Sequence, residues 1–245
     1  MALKALASFA KRIAISTEEG RRYYRRNAPV SVTGYPTRAG LTDWLPAQAA
    51  ELLGLNSEMP VVLAAGGSQG ARSINRALVA ALPELLKIAQ VVHISGQTDW
   101  LEVQTAHARL PNDLAANYHV MPYLHNMGAA LVSADLVVSR AGASVLGEYP
   151  LFGLPAILSP YPYSWVYQKV NAAYLEQRGA AVVIANDQLA SQLLPAITGL
   201  LGDPHRLESM RSAMRSLAHP DSASKIASMI KAMPSRMVKG AAQSW

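Results

Sequence analysis

Three short segments carry residues whose types and spacing suit an anionic ligand rich in hydroxyl groups. The first is Gly66-Gly67-Ser68-Gln69-Gly70-Ala71, directly after the apolar run Val61–Ala65. Glycines let backbone N–H groups come close to an anion, a serine hydroxyl adds a donor, and a following helix lends its positive end. An exposed helix end is worth only about 0.3–1 kcal/mol toward an anion, so several donors must act together to hold a diphosphate. Tight packing of a strand against the next helix would use the same glycines. The second segment, Ser139-Arg140-Ala141-Gly142-Ala143-Ser144-Val145-Leu146-Gly147-Glu148, follows Leu136–Val138. Ser144 falls where a helix should begin, so N–H groups near Ala143 and Ser144 can face a phosphate. Glu148, one turn later, can accept from both hydroxyls of a ribose. A glutamate near a helix start also complements the macrodipole with no ligand at all. The third segment runs from Pro160 to Asn171 and places Gln168 and Asn171 three apart, on one helix face. Amides there can donate to and accept from sugar hydroxyls, or can serve capping and packing.

Other chemistries lack their residues. The glycine-rich loop is not a P-loop, because no Gly-Lys-Ser/Thr follows it. It is a poor dinucleotide fingerprint, because the next strand ends in Ser95-Gly96 where a ribose-binding acid belongs. The chain has no cysteine, which removes disulfides, thiolate metal sites and thiol nucleophiles. None of its six histidines falls in a catalytic or metal-ligating pattern, and His119 and His125, flanking a strand end, read as structural. There is no Asp-x-Asp motif, so no metal and no cofactor is expected and no residue is assigned as catalytic.

The elements that must position these loops are legible as hydrophobic patterns. Short apolar runs rich in β-branched residues occur at Arg12–Ile15, Val30–Thr33, Val61–Ala65, Val91–Ile94, Tyr118–Met121, Leu136–Val138, Ala156–Leu158 and Ala181–Ile184. Between them Ile74, Ala77, Leu78, Ala81, Leu82, Leu85 and Leu86 recur at helical spacing, and Val170, Tyr174 and Leu175 begin another stripe. Strand and helix alternate at the βαβ period, which predicts an α/β fold with a doubly wound parallel sheet. The three loops then lie outside the carboxyl ends of strands, where such sheets bind ligands.

The six later strands make a complete sheet, whereas the first two do not. Ser16-x-x-Glu19 reads as a capping box opening a helix between them, and a two-stranded parallel piece cannot bury its own faces. The chain is therefore expected to begin inside a domain. The expected divisions are residues 1–35 as the end of a preceding domain, 36–60 as a proline-bearing linker, 61–218 as the ligand-binding domain and 219–245 as a final helix and loose tail.

With 51% apolar residues in 245, the chain has enough for a substantial core, and no apolar run reaches the length of a spanning helix. The net charge of +6 is concentrated at the ends. Residues 1–40 carry eight Lys/Arg against two Glu, and residues 205–245 carry seven against two acids. Basic ends suit an anionic partner such as a membrane surface or a phosphorylated substrate, or are solvated helix faces. The aromatic-basic interleaving of RNA-binding segments is missing, so no nucleic acid is expected.

Taken in order, Gly34-Tyr35-Pro36-Thr37-Arg38, GGSQGA at 66–71, RAGASVLGE at 140–148, GLPAILSPYPY at 153–163 and QKVNA followed by GAA to residue 181 resemble the MurG family. These bacterial glycosyltransferases move N-acetylglucosamine from UDP-N-acetylglucosamine to undecaprenyl-linked muramoyl-pentapeptide in peptidoglycan synthesis. The resemblance covers about 200 residues and implies the Rossmann-like C-terminal domain of a GT-B enzyme, preceded by a remnant of the N-terminal domain. It implies metal-independent, inverting transfer, with this chain supplying the donor site and a missing domain binding the lipid-linked acceptor, so that the chain is inactive alone. It also implies a cytoplasmic location, peripheral on the inner face of the plasma membrane.

By the same resemblance, Gly67, Ser68, Gln69 and Gly70 contact the diphosphate and Arg38 reaches donor or phosphate. Leu124 offers backbone groups to the uracil, Ala143, Ser144, Val145, Leu146, Gly147 and Glu148 span phosphate and ribose, and Gln168 and Asn171 address the sugar. Tyr35 replaces the family's common Asn, Val145 its frequent Thr, and Trp165-Val166 stand where charged residues are usual. The family's glycine-rich GTGGH-type loop is absent. Two other functions compete: a non-catalytic UDP-sugar-binding subunit that needs a separate acceptor-domain partner, and a UDP-sugar epimerase of the same architecture.

Overall fold

The computed structural model describes residues 2–56, 58–67, 71–163 and 167–233. In chain order the first elements are α1 (Ala2–Phe9), β1 (Ile13–Ile15), a 3-10 turn (Glu18–Tyr23), β2 (Val30–Val32) and α2 (Pro46–Leu53). Next come β3 (Val61–Ala65), α3 (Arg72–Leu85), β4 (Gln90–Ile94), α4 (Trp100–Ala108), α5 (Asn112–Ala115), β5 (Tyr118–Met121) and α6 (Met127–Ser133). Then follow β6 (Leu136–Ser139), a 3-10 turn (Ala143–Leu146), α7 (Glu148–Phe152), β7 (Ala156–Leu158), α8 (Tyr167–Glu176) and β8 (Ala181–Val183). The last three are α9 (Leu189–Leu201), α10 (Pro204–Arg215) and α11 (Ser222–Lys231). The chain divides into two compact units, residues 37–219 and residues 1–36 with 220–245.

The larger unit is built on a six-stranded parallel sheet in the order β5-β4-β3-β6-β7-β8. Its inner strands β3, β4, β6 and β7 are buried on both faces. In β3, Val61, Leu63 and Ala65 enter one core while Val62 and Ala64 enter the other. The predicted stripe of α3 is buried from Ile74 to Leu85 and closes one of those faces. The chain runs outward from β3 through β4 to β5, then returns to place β6 on the other side of β3. That reversal is a topological switch point, and the loops after β3 and β6 diverge from it. Asp135 fixes the register there. Its carboxylate accepts from Val61 N at 2.9 Å, and its own N–H donates to Val61 O at 2.8 Å.

Residues 36–60, expected as a linker, contain α2, and from Thr37 onward they belong to the larger unit. Pro46 reads as a breaker but stands in the first turn, where a missing N–H costs nothing. Ala49 and Leu53 are buried on one face, and Gly54 ends the helix at φ 68°. The preceding loop packs so closely on α6 that a Cβ at Gly128 would overlap the Leu41 carbonyl oxygen and lie 2.8 Å from Trp44 Cδ1.

In the smaller unit β1 and β2 pair in parallel from Ile13↔Val30 to Ile15↔Val32. The capping box expected at Ser16 does not form. The connection is a 3-10 turn whose N-cap position is Thr17, with no side-chain cap bond. Arg21 tightens it instead, bonding Glu18 and donating to Val30 O at 2.9 Å. The C-terminal helix α11 belongs to this unit, and its Ser224, Lys225 and Ser228 share a shallow cavity with Ser31, Val32 and Thr33 of the β2 segment. The expected loose tail lies largely outside the described residues.

Under the β3–β4 edge of the larger sheet runs a buried polar chain. Asn75 Nδ2 donates to Asp99 Oδ2 and to Ser95 O, both at 2.9 Å, so its Oδ1 faces His93 Nε2 at 3.0 Å. Nε2 must then carry the proton, which leaves Nδ1 to accept from Tyr118 Oη at 2.7 Å. His93 is fully buried, and desolvation pushes its pKa down to about 4. Because the folded pKa lies below the unfolded value, His93 favours folding fully above about pH 6.5, and that advantage is lost as pH falls toward 4.

Urea titration across this window should show wild-type stability falling by up to about 3 kcal/mol between pH 7 and pH 4 relative to His93→Gln. Parallel curves would mean that His93 is not held neutral. Gly128→Ala should lower unfolding free energy by about 1–3 kcal/mol in the same assay at neutral pH, through overpacking against Leu41 and Trp44.

Candidate functional site

A cavity of about 850 Å³ opens at the carboxyl ends of β3, β4 and β6. One wall is Ala65, Gly66 and Gly67, the start of the glycine-rich loop. Gly67 takes φ 88°, a left-handed backbone, and the space where a Cβ would project is open. Ser68, Gln69 and Gly70, expected to continue the anion contact, lie outside the described residues. The facing wall comes from the loop after β6 and the start of α7, with Gly142, Ser144, Val145 and Glu148. Tyr161, from the loop after β7, and Gln168, in the first turn of α8, close a third side.

Glu148 is half-buried at the first position of α7. Burial raises its carboxyl pKa, while the Arg38 guanidinium and a hydrogen bond from Ser144 pull it the other way. The carboxylate therefore meets the cavity with one neighbouring donor and one nearby cation, in partly dry surroundings that strengthen any further hydrogen bond. The backbone N–H groups of Ala143 and Ser144, at the front of the 3-10 turn, enter no backbone hydrogen bond among the described residues. Two donors and one acceptor thus stand within five residues of each other, as the sequence pattern suggests.

The other expected site residues separate into those on the cavity and those behind it. Gln168 lines the cavity, with its Oε1 already accepting from Tyr161 N at 2.8 Å, so its amide nitrogen is the group left to turn inward. Asn171 stands behind, donating to Ala141 O at 3.0 Å and thereby bracing the loop that carries Ser144. Leu146 packs on the core and Gly147 is buried, so neither presents a side chain to the cavity. Val145 is 3% exposed, and a side chain so placed gains from lacking a hydroxyl. Leu124 packs against the core from the loop between β5 and α6, and Arg38 is exposed; neither is part of the cavity wall.

Several wall residues had no role in the sequence reading. Arg140 spans the site, with Nη1 donating to Ser159 O at 2.9 Å and Nη2 to Ser73 Oγ at 2.6 Å, while its guanidinium lies 5.4 Å from the Tyr161 ring centre. It ties the loops after β6 and β7 to the first turn of α3. Arg72, Arg76, Thr98 and Asp99 form the side toward β4. A signal for Asp99 existed. The acid missing from the end of β4 arrives a few residues later, in the loop that a parallel sheet turns toward its ligand edge.

The family model of the glycosyltransferase family 28 C-terminal domain matches residues 61–226. A UDP-N-acetylglucosamine–N-acetylmuramyl-(pentapeptide) pyrophosphoryl-undecaprenol N-acetylglucosamine transferase of Roseiflexus sp. (strain RS-1) is 39% identical over 95% of this chain and 61% of its own length. The crystal structure of Acinetobacter baumannii MurG superimposes with a TM-score of 0.72 at 24% identity, covering 95% of this chain and 63% of that one. A putative UDP-N-acetylglucosamine 2-epimerase from Listeria monocytogenes shares the fold, with a TM-score of 0.62 at 13% identity, over 92% of this chain and 60% of that one. The chain thus spans a little over three fifths of the length of the relatives it matches. Its six-stranded parallel sheet, the cavity at the switch point and the matched segment from β3 into α11 agree, and the chain belongs to glycosyltransferase family 28, whose C-terminal domain it contains.

Proposed function

We propose that this chain supplies the donor site of an N-acetylglucosaminyltransferase that moves N-acetylglucosamine from UDP-N-acetylglucosamine to an undecaprenyl-linked muramoyl-pentapeptide. The observation that carries this reading is Glu148. It is a half-buried carboxylate at a helix start that lines the same cavity as Gly66 and Gly67. Glu148 accepts from the ribose hydroxyls. The N–H groups of Ala143 and Ser144 and the glycine-rich loop hold the diphosphate, and Gln168 addresses the sugar. A role for Ser68, Gln69 and Gly70 in the diphosphate contact belongs to this reading, as does approach of Arg38 to the same end.

The chemistry asked of these residues is stabilisation of a leaving group. As the acceptor hydroxyl attacks the anomeric carbon, negative charge grows on the departing diphosphate, and donors already fixed in position meet it without reorganising. In this reading these residues bind the donor, and the acceptor and the group that deprotonates it are held outside this donor site. Among the described residues no helix is long and apolar enough to cross a membrane. Exposed Leu6 and Phe9 on α1, with exposed Arg22, Arg25 and Arg26 in the same unit, support peripheral contact with an anionic membrane surface on the cytoplasmic side.

Calorimetry with UDP tests the reading. Glu148→Ala should weaken binding about ten- to hundredfold, or about 1.5–3 kcal/mol, the value of one hydrogen bond to a charged acceptor. Wild-type affinity should also decline on acidification at a higher pH than an ordinary glutamate would give, because burial raises this carboxyl. Unchanged affinity in a folded Glu148→Ala protein would remove the ribose contact. Conversion of UDP-N-acetylglucosamine by the chain without any lipid acceptor would favour an epimerase.

A further inference from the structure

Three arginines stand on the cavity wall, and they are not equivalent. Arg140 has both terminal nitrogens committed to Ser159 and Ser73. Arg76 is held by Glu102 through Nε at 3.0 Å and Nη2 at 3.4 Å. Arg72, the first residue of α3 and the second after the glycine-rich loop, donates only Nε, to Asp99 Oδ1 at 3.0 Å. Its two terminal amino groups bond no described residue, and its side chain is 58% exposed toward the cavity mouth. Asp99 is the reverse: its side chain is 4% exposed, and its second oxygen accepts from Asn75. Behind Asn75 stand His93 and Tyr118, each bonded in a single direction of donation.

A buried carboxylate anchored from below thus grips an exposed guanidinium by its inner nitrogen and aims the two outer ones at solvent in the cavity. A guanidinium left with a free fork of donors is suited to a phosphate. We propose that Arg72 is a direct contact of the donor's diphosphate and that Asp99 is a positioning residue, acting on the diphosphate only through Arg72. This inference rests on the nucleotide-sugar reading above. The buried chain from Tyr118 to Asp99 supplies the rigid base, because each of its members has its hydrogen-bonding groups engaged and none can turn without leaving a buried polar atom unpaired.

The sign of one substitution separates positioning from plain charge. Asp99 is an anion beside the site of another anion, so on Coulomb grounds alone its neutralisation should tighten UDP binding. If it positions Arg72, Asp99→Asn should weaken UDP binding, by about threefold to tenfold. Arg72→Ala should weaken UDP about tenfold and leave uridine, which lacks phosphate, unchanged. In the Arg72→Ala background Asp99→Asn should weaken UDP no further. The measurements are calorimetry for UDP and ligand-observed NMR for uridine on the 245-residue chain, with circular dichroism to confirm folding.

Equal losses for UDP and uridine, tighter UDP binding in Asp99→Asn, or independent additive losses would overturn the proposal. Should Asp99→Asn fail to fold, Arg72→Ala and Arg72→Lys decide the matter: the surface side chain of Arg72 is removable without opening the core, and unchanged UDP affinity in both sinks it. Wild-type chain that binds no UDP at all would instead sink the nucleotide-sugar reading. Loss of UDP affinity in Glu148→Ala but not in Arg72→Ala would sink only this inference.

Discussion

The pairing of β3 with β6 is the contact on which the site depends. These strands are distant in sequence, adjacent in the sheet, and locked at their amino ends by reciprocal bonds between Asp135 and Val61. Parallel strands that are neighbours send their following loops in the same direction. At a reversal of strand order those loops turn to opposite sides, and the space between them is left open. Gly66 and Gly67 therefore face Ser144 and Glu148 across a cavity.

Around that opening the sequence spends polar residues on bracing. Arg140 holds the first turn of α3 against the loop after β7, Asn171 props the backbone at Ala141, and Tyr149, fully buried, donates to Ser139 Oγ at 2.8 Å. Burial raises the Tyr149 pKa, so its hydroxyl stays a donor throughout the neutral range. The chain from Tyr118 through His93 and Asn75 to Asp99 does the same for the β4 side. These braces fix the loops that line the cavity.

Domain division shows where local patterns mislead. Prolines at 36, 46 and 60 suggested a linker, yet Pro46 starts a helix whose Ala49 and Leu53 are buried. Proline punctuates a sequence in the same way whether it ends one element or begins another. Likewise Ser16 and Glu19 have capping-box spacing, but the N-cap position falls at Thr17, and the turn is held by Arg21.

The amino-acid sequence by itself determined the six strands of the sheet, to within a residue or two at their ends, because short runs rich in β-branched residues alternate there with longer helical stripes. It also determined the turn from Ser144 to Glu148, because contiguous residues carry their own geometry. Family membership followed from the order and spacing of those motifs. Only the tertiary structure decided which side chains behind each loop face the cavity. It placed Asn171 behind the wall and Arg72, Asp99 and Arg140 on it, since their positions are set by residues dozens of places away. A hydrogen bond such as that from Arg140 to Ser73, across 67 positions, leaves no local pattern to read.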